Sequence, residues 1–124
     1  MVDVIFKEEV YAIIGMCMEV HRELGKGFSE IVYKDAIEHE CKQKQYFYER
    51  EKEFSVHYKG IILSHNYFAD FVVFEEIILE VKSCEGIVQA HIGQTLNYLA
   101  ASKLKVGLIV NFGKNSLEYK RMIL

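Results

Sequence analysis

Asp70 and, ten positions on, the triplet Glu80-Val81-Lys82 both lie inside apolar, β-branched runs. Strands bury such runs, and ionisable side chains rarely enter them without a partner. Two carboxylates and a lysine brought together at a sheet edge can hold a divalent cation and a water, the chemistry of metal-dependent phosphodiester cleavage. In Ile77 to Lys82 a period of two puts Glu80 and Lys82 on one face with Ile78, and Ile77, Leu79 and Val81 on the other, which reads as core. Asp70, Glu80 and the backbone carbonyl of Val81 would offer oxygen ligands to a hard ion such as Mg²⁺ or Mn²⁺. Lys82 would face the attacking water and balance charge at the phosphoryl oxygens. A Glu-x-Lys pair by itself is equally a solvated strand face; its apolar setting is what raises its weight.

Whether the two acids meet depends on register. A two-residue loop at Glu75-Glu76 would pair Phe74 with Ile77 and Asp70 with Val81, leaving the carboxylates on opposite faces. With Phe74-Glu75-Glu76 as the loop, Asp70 lies opposite Glu80. The odd register, or one bulge, is the expected arrangement, although no glycine there favours it.

The elements that must position these residues follow from periodicity. From Lys7 to Leu24, Val10, Ile13, Ile14, Cys17, Val20 and Leu24 recur at helical spacing, and Gly25-Lys26-Gly27 ends the helix. A second helix is expected from Ser29, as N-cap, to Gln45, with Tyr33, Ala36, Ile37 and Cys41 inward. Alternation at Phe54, Val56 and Tyr58 marks a strand within 47–58, followed by a turn at Lys59-Gly60. Ile61 to Phe74 and Ile77 to Lys82 read as strands. Helical spacing returns over 87–102 with Ile92, Leu96, Leu99 and Ala100 on one stripe. Strands at 105–112 and 117–123, around a turn at Gly113-Lys114-Asn115, complete an α/β domain with a mixed sheet.

The 124 residues, half of them apolar, suit one globular domain over 1–124. No apolar run is long enough for a membrane span, and Met1 to Glu9 has no basic-then-apolar leader. Cys17, Cys41 and Cys84 are too scattered for a metal motif and read as reduced thiols of a cytoplasmic protein. The net charge of −3 argues against a generic nucleic-acid coat. Its distribution is uneven, however: Lys103, Lys105, Lys114, Lys120 and Arg121 face only Glu118 in the last segment. Such an end could meet phosphates, or could be a solvated face.

Gly27-x-x-Glu30-x-x-Tyr33 resembles the signature of the GxxExxY proteins, a bacterial and archaeal group within the PD-(D/E)XK nuclease superfamily. The resemblance continues in order through Tyr67-Phe68-Ala69-Asp70, Glu80-Val81-Lys82, His91 to Leu99 and Gly107 to Gly113. It implies a restriction-endonuclease-like core, a mixed β-sheet flanked by helices with the acids on its central hairpin. It further implies that Asp70 and Glu80 are metal ligands, Lys82 the catalytic lysine and Glu30 an acid that a flanking helix offers to the metal, as a ligand or just behind one. Gln94 would orient water or phosphate. Ala69 stands where the superfamily name has proline; that proline is not a ligand. Glu30 could instead simply favour a helix N-terminus. Tyr33 reads as packing, and His91 is a minor candidate for general base.

The implied activity is Mg²⁺- or Mn²⁺-dependent hydrolysis of nucleic acid, with DNA the expected substrate. Two other classes fit the same residues: a non-catalytic nucleic-acid- or protein-binding module on the nuclease fold, and a hydrolase of small phosphoesters. A homodimer through Phe47 and Tyr48 is a further expectation.

Overall fold

The computed structural model describes residues 6–124, so the opening residues 1–5, part of the segment read above as lacking a leader, lie outside the described residues. Helices α1 (Lys7–Leu24) and α2 (Glu30–Lys44) precede strands β1 (Tyr48–Phe54), β2 (His57–Tyr58), β3 (Ile61–Ile62), β4 (Tyr67–Val73) and β5 (Ile77–Lys82). Helix α3 (Gln89–Ser102) and strands β6 (Val106–Asn111) and β7 (Glu118–Ile123) complete the chain. The main sheet runs β1-β4-β5-β6-β7, with β5 and β6 parallel and the other pairs antiparallel. This is the mixed α/β architecture the periodicities imply. The parallel pair requires a crossover, and α3 supplies it.

The two faces of the sheet carry separate cores. Val10, Ile13, Cys17 and Val20 of α1 and Tyr33, Ile37 and Cys41 of α2 pack on Phe71, Val73, Leu79, Val81, Leu108 and Val110. Ala69, Val72 and Ile78 turn the other way, onto Leu99 of α3. Strand β5 is thus buried on both sides from Ile77 to Val81, as expected of a strand inside a two-sided sheet. Its two faces are both core, where the sequence suggested one.

Helix α1 stops where expected, with the Gly25 N–H donating to the His21 carbonyl at 2.7 Å. The loop into α2 is braced by Tyr33, whose buried hydroxyl donates to Gly25 O at 2.5 Å and accepts from Phe28 N at 3.3 Å. Its ring stacks on Phe112 with centroids 4.3 Å apart, so Tyr33 is the packing residue it was read as. Ser29 occupies the N-cap position without making a side-chain cap.

Three expectations change. The strand read over 61–74 is two elements: Leu63 N–H bonds Val56 O at 2.9 Å and closes the small β2–β3 hairpin, after which exposed Ser64, His65 and Asn66 carry the chain into β4. On α3 the buried positions are Thr95 and Leu99, whereas Ala100 is exposed. The helix seats on Gly107, where a Cβ would lie 2.9 Å from the Thr95 methyl, and this contact sets its rotation. Finally, Tyr48 is not a free aromatic: its hydroxyl donates to Glu38 at 2.7 Å, leaving only Phe47 exposed at that edge.

Candidate active site

The β4–β5 hairpin pairs Val73 with Ile77, Val72 with Ile78 and Phe71 with Leu79, so Phe74, Glu75 and Glu76 form the link. Phe74 and Glu75 are left-handed, with φ of 57° and 64°, and Glu76 N–H donates to Val73 O at 3.2 Å. Two left-handed residues closing such a bond follow the type I′ pattern, which leaves Glu76 as an extra, bulged residue. Glycine usually takes these positions; here the Phe74 ring is held against Tyr46, 5.0 Å between centroids. The resulting register is the odd one, and extended by one step it sets Asp70 opposite Glu80.

Beyond Phe71 and Leu79 the backbone ladder ends and side chains replace it. Asp70 N–H donates to Glu80 Oε2 at 2.9 Å, and Val81 N–H donates to Asp70 Oδ2 at 2.8 Å. In an extended strand the N–H and C=O of one residue point the same way, so the Val81 carbonyl also faces this gap. Lys82 O, one residue on, accepts from Phe112 N on the β6 side, as that alternation requires.

The gap has a cause in the neighbouring strand. The β1–β4 register continues unchanged on both sides of Glu51 and Asp70, yet these two are not paired. Glu51 has φ of 52°, in the middle of a strand. Side-chain alternation inverts here in both strands: Tyr48 and Phe71 belong to the α1–α2 core, but Phe54 and Ala69 to the α3 core. A left-handed non-glycine residue in a strand is costly and marks a place held by its surroundings. The Glu51 carboxylate meets Lys34 of α2, whose Nζ lies 2.7 Å from Glu51 Oε1 and 3.2 Å from Asp70 Oδ1. Burial disfavours the charge on Lys34, but hydrogen bonds to Glu51 and Asp70 win and raise its pKa.

Glu80 is 5% exposed and points with Ile78 to the α3 side. Burial first, and the Asp70 charge second, push its carboxyl up to about 8, against the bond from Asp70 N–H and the attraction of Lys82 and Lys34. Tyr98 of α3 feels both acids: burial, then Glu80 and Asp70, raise its hydroxyl. Tyr98 stacks on Tyr67 at 4.2 Å, Tyr67 stacks on Phe54 at 5.3 Å, and Tyr67 OH donates to Tyr98 O at 2.8 Å. This aromatic stack fastens α3 over the acids.

Of the remaining sequence candidates, only Lys82 is tied to this centre. Lys82 is half-buried and near enough to Glu80 to favour its ionised form. Gln94 is exposed on α3, one turn before Tyr98, and its side chain makes no hydrogen bond among the described residues. Glu30 is exposed in the first turn of α2, one turn before Lys34, and is not joined to the two carboxylates. His91 Nδ1 accepts from Val88 N–H at 3.1 Å and caps α3, a structural use of that ring. Among the described residues no three His, Cys, Asp or Glu side chains cluster as a ready metal cage. The donor set at the gap is therefore two carboxylates and one carbonyl. Two neighbouring acids, one of them pushed toward its neutral form by burial and by the other's charge, suit a hard divalent cation.

Lys34 and Glu51 escaped the sequence reading. They come from a helix and an edge strand remote in sequence from the hairpin, and the signals available were weak. Lys34 follows Tyr33 on the boundary of the buried face of α2, and Glu51 is one member of the alternating charged run Glu49 to Glu53.

Comparison with known proteins agrees with this architecture. The family model described as PD-(D/E)XK nuclease superfamily matches residues 7–122. No curated protein matches the sequence. The crystal structure of SSO0001 superposes with a TM-score of 0.59 at 18% identity, covering 74% of this chain and 48% of that one. The fold is therefore shared, and the chain spans about half the length of that relative.

Proposed function

The chain belongs to the PD-(D/E)XK nuclease superfamily, and from that premise we propose that it hydrolyses phosphodiester bonds of nucleic acid, DNA first, as a GxxExxY-type nuclease. The observation that carries this reading is the exchange at the gap, where Asp70 and Glu80 each take an N–H from the other's strand. Asp70, Glu80 and the Val81 carbonyl would hold Mg²⁺ or Mn²⁺. Such an ion, when bound, polarises a phosphoryl oxygen and makes a bound water nucleophilic at neutral pH.

The other roles belong to the chain itself. Lys82, beside Glu80 on the α3 side, orients water and offsets charge growing on the phosphoryl oxygens. Gln94 of α3 and Glu30 of α2 are assigned, on the family resemblance, to the phosphate or a second water. Nuclease activity on plasmid and single-stranded DNA with Mg²⁺ or Mn²⁺ tests the assignment. Asp70→Ala and Lys82→Ala should each lower the rate by at least ~100-fold, in the range seen when a positioned charge is removed. Unchanged activity in both variants removes these roles.

One observation favours a second reading, a binding module that keeps the fold without the reaction: among the described residues only two carboxylates converge, and an ammonium already lies on one of them. Calorimetry separates the two, because a module shows no divalent-cation binding at millimolar concentration.

A further inference from the structure

We propose that Lys34 is a positioning residue, a resident counter-ion that occupies Asp70 when no metal is bound and that Glu51 draws aside when a divalent cation enters. The inference rests on the metal-binding reading of Asp70 and Glu80 given above, and concerns two residues outside that set.

Three observations carry it. Lys34 Nζ lies between two carboxylates, closer to Glu51 (2.7 Å) than to Asp70 (3.2 Å). The Asp70 partner is the more enclosed of the two, with its side chain 17% exposed against 48% for Glu51. The shorter bond therefore goes to the acid that water already serves, which a pair selected for packing alone does not require. In addition, Glu51 reaches this position only through a left-handed backbone, inside a strand whose register is otherwise regular. The left-handed turn inverts side-chain alternation in β1 and, in the same step, sets the Glu51 carboxylate against the ammonium.

Asp70 Oδ2 is engaged by Val81 N–H, so Oδ1, the atom Lys34 contacts, is the oxygen a cation would claim. Two cations cannot share it without repulsion. With Glu51 present, the ammonium keeps a partner after it leaves Asp70 and stays within reach of an incoming phosphate. Without Glu51, Asp70 is its sole carboxylate partner among the described residues.

Mn²⁺ affinity measured by calorimetry on the full chain tests this without recourse to activity. Removing the competing charge with Lys34→Gln should tighten Mn²⁺ binding, roughly tenfold for a partly screened unit charge beside the site. Glu51→Gln should weaken it several-fold. In the double variant the Glu51 effect should largely vanish, because its action runs through Lys34. Lys42→Gln, an exposed lysine farther along α2, controls for overall charge and should change nothing. An equal Glu51 effect with and without Lys34 shows independent electrostatics and overturns the tether. Weaker binding in Lys34→Gln overturns the counter-ion. Absence of Mn²⁺ binding in the unaltered chain overturns the metal site itself and this inference with it, a result distinct from the other two.

Discussion

Asp70 accepts a hydrogen bond from the strand that bears Glu80, and Glu80 accepts one from the backbone of Asp70 itself. The two acids thus stand in for the ladder bonds that β4 and β5 would otherwise make with each other. The same oxygens that suit a cation also close the end of the hairpin. Stability and chemistry are joined at these atoms, and variants there should affect both.

At Asp70 the two contributions can be separated. Asp70→Ala leaves Val81 N–H, on a fully buried residue, without its acceptor, a loss of about 1–3 kcal/mol. Asp70→Asn keeps an acceptor for that N–H and removes the repulsion that helps raise the Glu80 pKa. Urea titration of the metal-free protein should therefore show Asp70→Ala clearly destabilised and Asp70→Asn close to or above the unaltered chain, while both lose activity. Equal destabilisation of the two would mean that the Val81 bond carries little.

The titration of Glu80 gives the metal-free protein a pH signature. Its carboxyl sits at about 8 when folded, with burial the main cause and Asp70 the second. The unfolded chain has an ordinary carboxylate there, near about 4.3. Between those values the folded state holds a proton that the unfolded state has released. This contribution is therefore fully present below the unfolded pKa and is lost as pH rises through about 8. Other acids act in the opposite sense: Glu38 is held low chiefly by the bond from Tyr48, and Glu118 chiefly by Asn111. The informative quantity is therefore the difference in melting temperature between the unaltered chain and Glu80→Gln in chelator. Glu80→Gln should gain on the unaltered chain as pH rises; parallel curves would mean that Glu80 ionises normally.

How much of this was readable beforehand is clearest at the hairpin. Asp70 and Glu80 could be set opposite each other by counting, because only the loop length was open; where the Asp70 side chain points could not, since alternation breaks at that residue. The loop itself was harder to foresee, since Phe74 and Glu75 take left-handed conformations that glycine normally signals. The inversion of both strands at Glu51 and Asp70 left no trace in the pattern, as two compensating breaks preserve the register. Lys34 was invisible for a related reason: a lysine on a helix next to a buried tyrosine looks like any boundary residue until the sheet is docked. The division of 61–74 turned on one long-range bond, Leu63 N–H to Val56 O, that no local propensity encodes.

Helix α3 depends on one missing side chain. The glycine at 107 faces Thr95 and Leu99, and an added methyl would meet the Thr95 methyl at 2.9 Å and the nearest Leu99 carbon at 3.2 Å. Both partners are buried, so neither can swing away freely. Gly107→Ala should cost about 1–3 kcal/mol through overpacking. It should also lift α3, and with it Tyr98, from the acids. Differential scanning calorimetry measures the first effect and tyrosine fluorescence the second.

The loop that leads into Glu30 and α2 is braced by the Tyr33 phenol. Tyr33 is fully buried, donates to Gly25 O and receives Phe28 N–H, while its ring lies flat on Phe112 with an interplanar angle of 9°. Tyr33→Phe keeps the stacking and deletes only the hydroxyl. The Gly25 carbonyl and Phe28 N–H then lose their shared partner, so a loss of about 1–2 kcal/mol is expected, with the denaturant slope unchanged. Because Ser83 Oγ also bonds Phe28 O at 2.7 Å, loosening this loop would be felt one residue beyond Lys82. A drop in nuclease rate larger than the stability change explains would tie the loop to the reaction. Stability and rate falling together, with activity restored on cooling, would confine Tyr33 to folding.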